Sequence, residues 1–275
     1  MTNDINIVFL GDIVGRPGRK IVKDFLSEDF EKITGVKKEN AFLIANVENA
    51  SHGFGLTQKN YEEFVEQGFN CLTSGNHIWD KKDIFAYIDE ADILLRPINY
   101  PKDTKGVGYK IFDFKNTKIG VINILGRVFM APYDSPWEII KETVEEIKKE
   151  TPVIFVDFHA EATAEKECFA RYCADLGVSV VAGTHTHVQT ADERIINGQT
   201  AFITDAGFCG DYNGVIGMDY ETSLHRLATN LPERFDISDT KESVLNGVLA
   251  IVGCDGKAKT IKRFCITKNY EEGIK

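Results

Sequence analysis

The chain is short of basic residues. Against 42 Asp and Glu it carries 32 Lys and Arg, a formal net charge of −10, which opposes a tight, sequence-independent grip on nucleic-acid backbone and leaves room only for a local basic pocket. No apolar run approaches the roughly eighteen residues a membrane span needs. The opening MTNDINIVFLGD has an acidic residue ahead of a short apolar run that ends at Gly11 and Asp12, so a secretory leader is not expected. The six cysteines (Cys71, Cys168, Cys173, Cys209, Cys254, Cys265) form no C-x-x-C pair, which fits neither a zinc ribbon nor a disulfide framework. A reduced, cytoplasmic protein with no membrane attachment is expected. Also missing are a G-x-x-x-x-G-K-[ST] loop, a G-x-G-x-x-G turn after a strand and a G-x-S-x-G elbow, so P-loop, dinucleotide and serine-hydrolase chemistry are set aside. Neither repeats nor low-complexity linkers interrupt the 275 residues, and one domain over 1–275 with a sizeable core is expected.

What is present is strand after strand. Runs at 5–12, 41–49, 69–76, 92–97, 108–114, 118–126, 152–160, 178–185, 200–207, 246–253 and 258–266 read as β, too much for a helical bundle. Between them, LTQKNYEEFVEQG has Thr57 as a cap and Tyr61, Phe64 and Val65 at helical spacing. SPWEIIKETVEEIKKE starts on Pro136 and lines up Trp137, Ile140, Val144 and Ile147; TAEKECFARYCADLG turns Phe169, Cys173 and Leu176 inward and closes on Gly177. The order indicates βαβ units early and in the middle, a hairpin at Asn116–Thr117 and a β-rich C-terminal third: an α/β fold. The turn-rich stretch 207–234 reads as functional loop.

The polar residues fall where several strands end: Asp12, Glu48-Asn49, Asn76-His77, His159 and His185-x-His187. In open α/β sheets the carboxyl ends of parallel strands form the crevice where ligands bind. Each residue has an ordinary use: Asp12 as a turn or helix cap, Glu48-Asn49 as solvated loop, Asn76 in a left-handed turn, a lone His as a hydrogen-bonded core residue. Their coincidence at five strand ends favours one shared metal site of N and O donors, suited to Mn, Fe or Zn. His185 and His187 alternate, so in extended backbone both rings point one way about 7 Å apart, a spacing that reaches two adjacent ions. His225 reads as a helix residue, and His52, in the Gly-rich ASHGFG, is a substrate-contact candidate. Arg16, Arg19 and Lys20 in GRPGRK read as a solvated helix start, with a phosphate contact as the alternative.

With GD (11–12), VEN (47–49), GNH (75–77), FHA (158–160) and GTHTH (183–187) in this order, the chain resembles the calcineurin-like metallophosphoesterases. VENASHGFGLT, TSGNHIWDKK, VDFHAEAT, GTHTHVQTAD and ITDAGF are similar to the YmdB-like phosphodiesterases within that superfamily. The resemblance implies a four-layer sandwich, two mixed β-sheets flanked by helices, with a two-metal site at one sheet edge. It assigns Asp12, Glu48, Asn49 and His187 to the first metal and Glu48, Asn76, His159 and His185 to the second, Glu48 bridging. The superfamily's usual Asp-x-His start is absent, because residue 14 is Val, and Glu48-Asn49 replaces the usual bridging Asp. Losing an imidazole leaves the first ion in an oxygen-rich shell, which favours iron or manganese over zinc.

The implied reaction is phosphodiester hydrolysis by metal-activated water, with 2′,3′-cyclic nucleotides or RNA-derived fragments as substrates. The leaving oxygen then needs a proton, and His77, beside the ligand Asn76, is the candidate general acid, with Gly75 allowing close backbone approach. Asp80 either orients His77 or caps a helix. Substrate choice would lie in loops 52–56, 127–135 and 207–219, with Phe208 and Tyr212 as stacking surfaces for a base. A phosphomonoesterase or protein phosphatase remains an alternative. So does a metal-stabilised regulatory protein that binds nucleotide or RNA with little turnover, although such a binder has no use for a spare acid. A homo-oligomer is compatible with the sequence.

Overall fold

A computed structural model describes residues 4–270. The strands are β1 Ile5–Leu10, β2 Asp12–Ile13, β3 Ala41–Asn46, β4 Cys71–Thr73, β5 Tyr109–Phe114, β6 Thr117–Leu125 and β7 Ile154–His159. They continue as β8 Val180–Thr184, β9 Arg194–Ile196, β10 Thr200–Ile203, β11 Phe208–Asp211, β12 Glu242–Val252 and β13 Ala258–Asn269. The helices are α1 Gly15–Asp24, α2 Phe30–Thr34, α3 Gln58–Glu66, α4 Ile84–Tyr87, α5 Pro136–Ile147, α6 Thr163–Asp175 and α7 Tyr220–Thr229. None of the described helices is long and apolar enough to cross a membrane.

The first sheet runs β2-β11-β12-β1-β3-β4, with β13 along the other edge of β12; the second runs β5-β6-β7-β8-β10-β9. In the first, β1, β3 and β4 are parallel, while β12 is antiparallel to β1. In the second, β6, β7, β8 and β10 are parallel and the edge strands β5 and β9 antiparallel. Both sheets are therefore mixed.

Alternation along the central strands explains the layering. Ile5, Ile7 and Phe9 of β1 with Phe42 and Ile44 of β3 meet Val121, Phe155, Val180 and Ala182 of the second sheet in one buried cluster. The rings of Phe9 and Phe155 lie 5.1 Å apart across it. The intervening residues Val8, Leu10, Leu43 and Ala45 face outward and pack with Ile21, Val22 and Phe25 of the first helical layer and Phe64 of α3. On the far side Ile122, Ile154 and Val156 pack beneath Ile140, Val144 and Ile147 of α5 and Phe169 and Cys173 of α6. Two mixed sheets between helical layers form the four-layer sandwich that the sequence resemblance implied. Parallel β1, β3, β4, β7 and β8 point their carboxyl ends to one edge.

Several helix signals are realised in detail. Thr57 accepts the N–H of Asn60, Pro136 begins α5, and β5 and β6 form the hairpin. Val65, at the expected spacing, is nevertheless exposed. Residues 92–97 make only isolated parallel bridges, Leu72 to Leu94 and Leu95 to Val107, and no continuous strand. The stretch 207–234 is more regular than expected: β11 is buried along its length and α7 carries His225.

Candidate metal centre

β1 ends at Gly11, where a Cβ would overlap the carbonyl of Gly207, and Asp12 follows in β2, pairing with Phe208. Asp12 is completely buried; its Oδ2 accepts the His185 N–H at 3.1 Å. Its Oδ1 has no hydrogen-bond partner and faces His187 Nε2 at 4.0 Å. Beyond β3, Glu48 Oε2 accepts the His77 N–H at 2.9 Å, while Oε1 lies 3.1 Å from His159 Nε2. Asn49 donates its amide to the Gly53 carbonyl at 2.8 Å, leaving Oδ1 buried and unpartnered. Past β4, Asn76 Oδ1 comes within 3.0 Å of His159 Nε2, and His185 Nδ1 also lies 3.0 Å from that nitrogen. The structure thus gathers Glu48, Asn76, His159 and His185 on one point, and sets His187 beside Asp12. A side chain at position 75 would overlap Glu48 Oε2 and His159 Nε2, so only glycine lets the β4 loop approach.

Where the protons sit decides what such a cluster can hold. Thr184 has one hydroxyl proton, and its Oγ1 donates it to Asp157 Oδ1 at 2.7 Å. His159 Nδ1, 2.9 Å from that Thr184 oxygen, then donates, so Nε2 is the nitrogen turned into the cluster and is bare when the ring is neutral. His187 Nδ1 donates to the Ile216 carbonyl at 2.9 Å, turning its lone pair toward Asp12. His185 Nε2 is held by Glu161 at 3.2 Å, turning Nδ1 inward. Each imidazole is pinned from behind with its other nitrogen turned inward, those of His159 and His187 toward carboxylate or amide oxygens and that of His185 toward His159, the arrangement outer partners impose on metal-ligating histidines. Lone pairs facing lone pairs at about 3 Å repel unless a cation or an extra proton lies between them. Donor atoms of Glu48, His159 and His185 fall within 4.8 Å of one another. With the orphaned oxygens of Asp12 and Asn49, this donor set fits divalent metal.

Without a cation, that extra proton settles on His159. Burial opposes the charged form of His159, but Glu48 and Asp12 outweigh it and lift its pKa to about 9. Burial would raise Glu48, yet His159 and His77 hold it well below the usual carboxylate range. His185 is pushed down to about 3 by burial and by the charge on His159, while burial raises Asp12. Burial also lifts Asp157 to about 7.

The His77 ring stands beside this cluster, its side chain about a third exposed, with Nδ1 2.9 Å from Asp80 Oδ2. The edge of Phe54 packs on it at 4.7 Å. Asp80 orients the ring and makes no helix cap. Two expectations need correction. The strand carrying His185 and His187 stops at Thr184, and both residues have left-handed backbone (φ 101° and 63°), so a bend rather than alternation aims the rings. Phe208 is buried with its ring parallel to His187 at 5.6 Å and cannot stack a base, whereas Tyr212 is exposed. Arg16, Arg19 and Lys20 lie in the opening turns of α1, as the helix-start reading expected, with Arg16 exposed and paired with Asp239, Lys20 paired with Asp24 and Arg19 donating to the Ala50 carbonyl. Asp157, Thr184 and Glu161 were not singled out by sequence reasoning; the one available signal was an aspartate inside the apolar run VIFVDFH.

The comparisons place the chain. The model of the YmdB-like protein family matches residues 8–264, and the chain belongs to that family. A Bacillus subtilis protein named 2′,3′-cyclic-nucleotide 2′-phosphodiesterase is 44% identical over 266 residues, covering 97% of this chain and 98% of that one. A Mycoplasma pneumoniae crystal structure described as a novel phosphatase superposes with a TM-score of 0.89 at 34% identity, over 98% of this chain and 96% of the other. A hypothetical protein of Thermus thermophilus gives 0.87 at 31% identity, over 96% and 100%.

Proposed function

We propose that the chain, acting as one cytoplasmic domain, is a metal-dependent phosphodiesterase whose preferred substrates are 2′,3′-cyclic nucleotides. The carrying observation is the convergence of metal-competent atoms from Glu48, Asn76, His159 and His185 beside a histidine left outside the cluster. Asp12, Glu48, Asn49 and His187 would hold one ion and Glu48, Asn76, His159 and His185 the other, Glu48 shared. Two divalent ions so bound supply Lewis acidity toward the phosphoryl oxygens and toward the attacking water. The oxygen-rich first set, lacking an imidazole at Val14, suits iron or manganese better than zinc.

The protein's own groups account for the rest. His77, held by Asp80, donates a proton to the ribose oxygen as the five-membered ring opens; without it a poor alkoxide would have to leave. A cyclic phosphodiester carries one negative charge where a phosphomonoester carries up to two, which suits a site rich in carboxylates and an acidic protein. The name of the Bacillus relative supports this substrate class. The reading is tested by kcat/KM for 2′,3′-cyclic AMP, 3′,5′-cyclic AMP and a phosphoserine peptide under one metal condition. A clear preference for the 2′,3′-cyclic ester is expected; preference for the phosphopeptide would replace this reading by a phosphatase.

A further inference from the structure

α6 carries an anomaly on its inward face. Lys166, one turn before Phe169, is 1% exposed, although Lys is almost never found fully buried without a partner. Its ammonium donates to Asp205 Oδ2 at 2.7 Å and to the Thr184 carbonyl at 2.8 Å. The same Asp205 oxygen accepts the N–H of Thr186 at 3.1 Å and its hydroxyl at 2.8 Å, and Oδ1 accepts the Gly207 N–H at 2.9 Å. Thr190 closes the loop, its N–H reaching the Asp205 carbonyl at 3.1 Å and its hydroxyl accepting the Asp205 N–H at 2.9 Å. Apart from the Lys166–Asp205 pair itself and the contact to Gly207, each of these contacts ends on residue 184, 186 or 190, around the two histidines with left-handed backbone.

Non-glycine residues keep such backbone only where the surroundings over-determine it. A buried ion pair is a poor device for stability alone, since its desolvation cost offsets much of the attraction. We propose that Lys166 and Asp205 are positioning residues, a buried charged brace that holds the 184–187 bend so that His185 and His187 present their free nitrogens to metal. The inference rests on the metal reading above. It adds two residues that touch no substrate and are not ligands. Lys166 ties the carbonyl before His185 to α6, while Asp205 ties Thr186, between the histidines, to the end of β10. Without either tether the bend relaxes toward ordinary backbone and both rings turn.

Metal-free full-length protein is titrated with Mn²⁺ by calorimetry, melting temperatures are recorded, and the imidazole ¹⁵N signals of His185 and His187 are followed by NMR. Asp205→Asn and Lys166→Met are expected to weaken Mn²⁺ binding about tenfold or more and to shift both imidazole signals. The milder Thr186→Val, which loses one hydroxyl contact and still folds should the others fail, is expected to weaken binding a few-fold, on the order of its single bond. Val144→Ala, in the α5 layer remote from the bend, lowers the melting temperature and leaves Mn²⁺ affinity and both signals unchanged. The double variant Lys166→Met/Asp205→Asn, which buries no lone charge, should recover thermal stability without recovering affinity. Wild-type Mn²⁺ affinity in the brace variants, or recovery of affinity together with stability in the double variant, overturns the brace. Failure of wild type itself to bind Mn²⁺ more tightly than His187→Ala would instead overturn the metal reading, and the brace with it.

Discussion

Thr184→Val isolates the proton accounting that makes His159 a ligand. The substitution keeps the shape of a fully buried side chain, and the backbone carbonyl that Lys166 holds is untouched. It removes one oxygen that accepts from His159 Nδ1 and donates to Asp157 Oδ1. Two buried groups lose their partner, at about 1–3 kcal/mol each when nothing replaces it. Asp157 keeps Asn46 and Thr73 as donors, so its share falls at the low end. His159 has an escape once its ring is neutral, above about pH 9: its single proton moves to Nε2, where Glu48 Oε1 and Asn76 Oδ1 stand ready at 3.1 and 3.0 Å. That tautomer satisfies the ring in metal-free protein and blocks the lone pair a cation needs. The expected result is therefore asymmetric. Unfolding of metal-free protein in urea should lose about 1–2 kcal/mol, while metal affinity should fall about 10–100-fold, the usual consequence of removing an outer partner. Imidazole ¹⁵N shifts of metal-free protein above about pH 9, where His159 is neutral, should show the proton moving from Nδ1 to Nε2. Unchanged metal affinity alongside lowered stability, or a ring still protonated at Nδ1, would refute this assignment.

Gly75→Ala should abolish metal loading, measured by elemental analysis, and destabilise by about 1–3 kcal/mol, because the added methyl overlaps Glu48 and His159. His77→Ala should retain its metals and lose roughly 10²–10⁴-fold in kcat with 2′,3′-cyclic AMP, the range of a general acid; equal losses for p-nitrophenyl and alkyl leaving groups would remove His77 from that role. In metal-free protein the pKa of His159 is raised to about 9, so its stabilising contribution is complete below about pH 6.5 and fades as pH rises through 9. At about 1.4 kcal/mol per unit this amounts to roughly 3 kcal/mol, and urea midpoints in chelator at pH 6.5, 8 and 9.5 should fall accordingly; a flat series would contradict it.

Strand-end chemistry was the most legible part of the sequence, because Asp12, Glu48, Asn76 and His159 each interrupt a run that is otherwise apolar. The helices over 58–66, 136–147 and 163–175 were equally plain, since their periodicity and caps are local. What escaped depends on long-range contact. β11 is a four-residue strand whose partners, β2 and β12, are remote in sequence or too short to signal pairing. The left-handed bend at 185–187 follows from tethers to Asp205 and Lys166 rather than from its own residues, so GTHTH alone looked like continuing strand. Thr184 was invisible for a similar reason: a threonine at a strand end is ordinary until Asp157 and His159 are seen on either side of it.

Asp157 belongs to the second sheet, yet it accepts hydrogen bonds from Asn46 and Thr73, at the ends of β3 and β4 in the first. Nearby, Asn123 of β6 binds Ser74 through both its amide nitrogen and its oxygen, at 2.9 and 3.0 Å. This polar seam stitches the halves of the sandwich together directly beneath the proposed ligands. Asp12, Glu48, Asn49 and Asn76 arrive with one half, His159, His185 and His187 with the other. On the proposed ligand assignment neither half alone would bind metal as the whole does, and the centre would come into being only when the two sheets dock. Metal uptake in a refolding experiment therefore times the closing of the sandwich, and a chain that stalls with its sheets apart is blind to metal however much secondary structure it has formed.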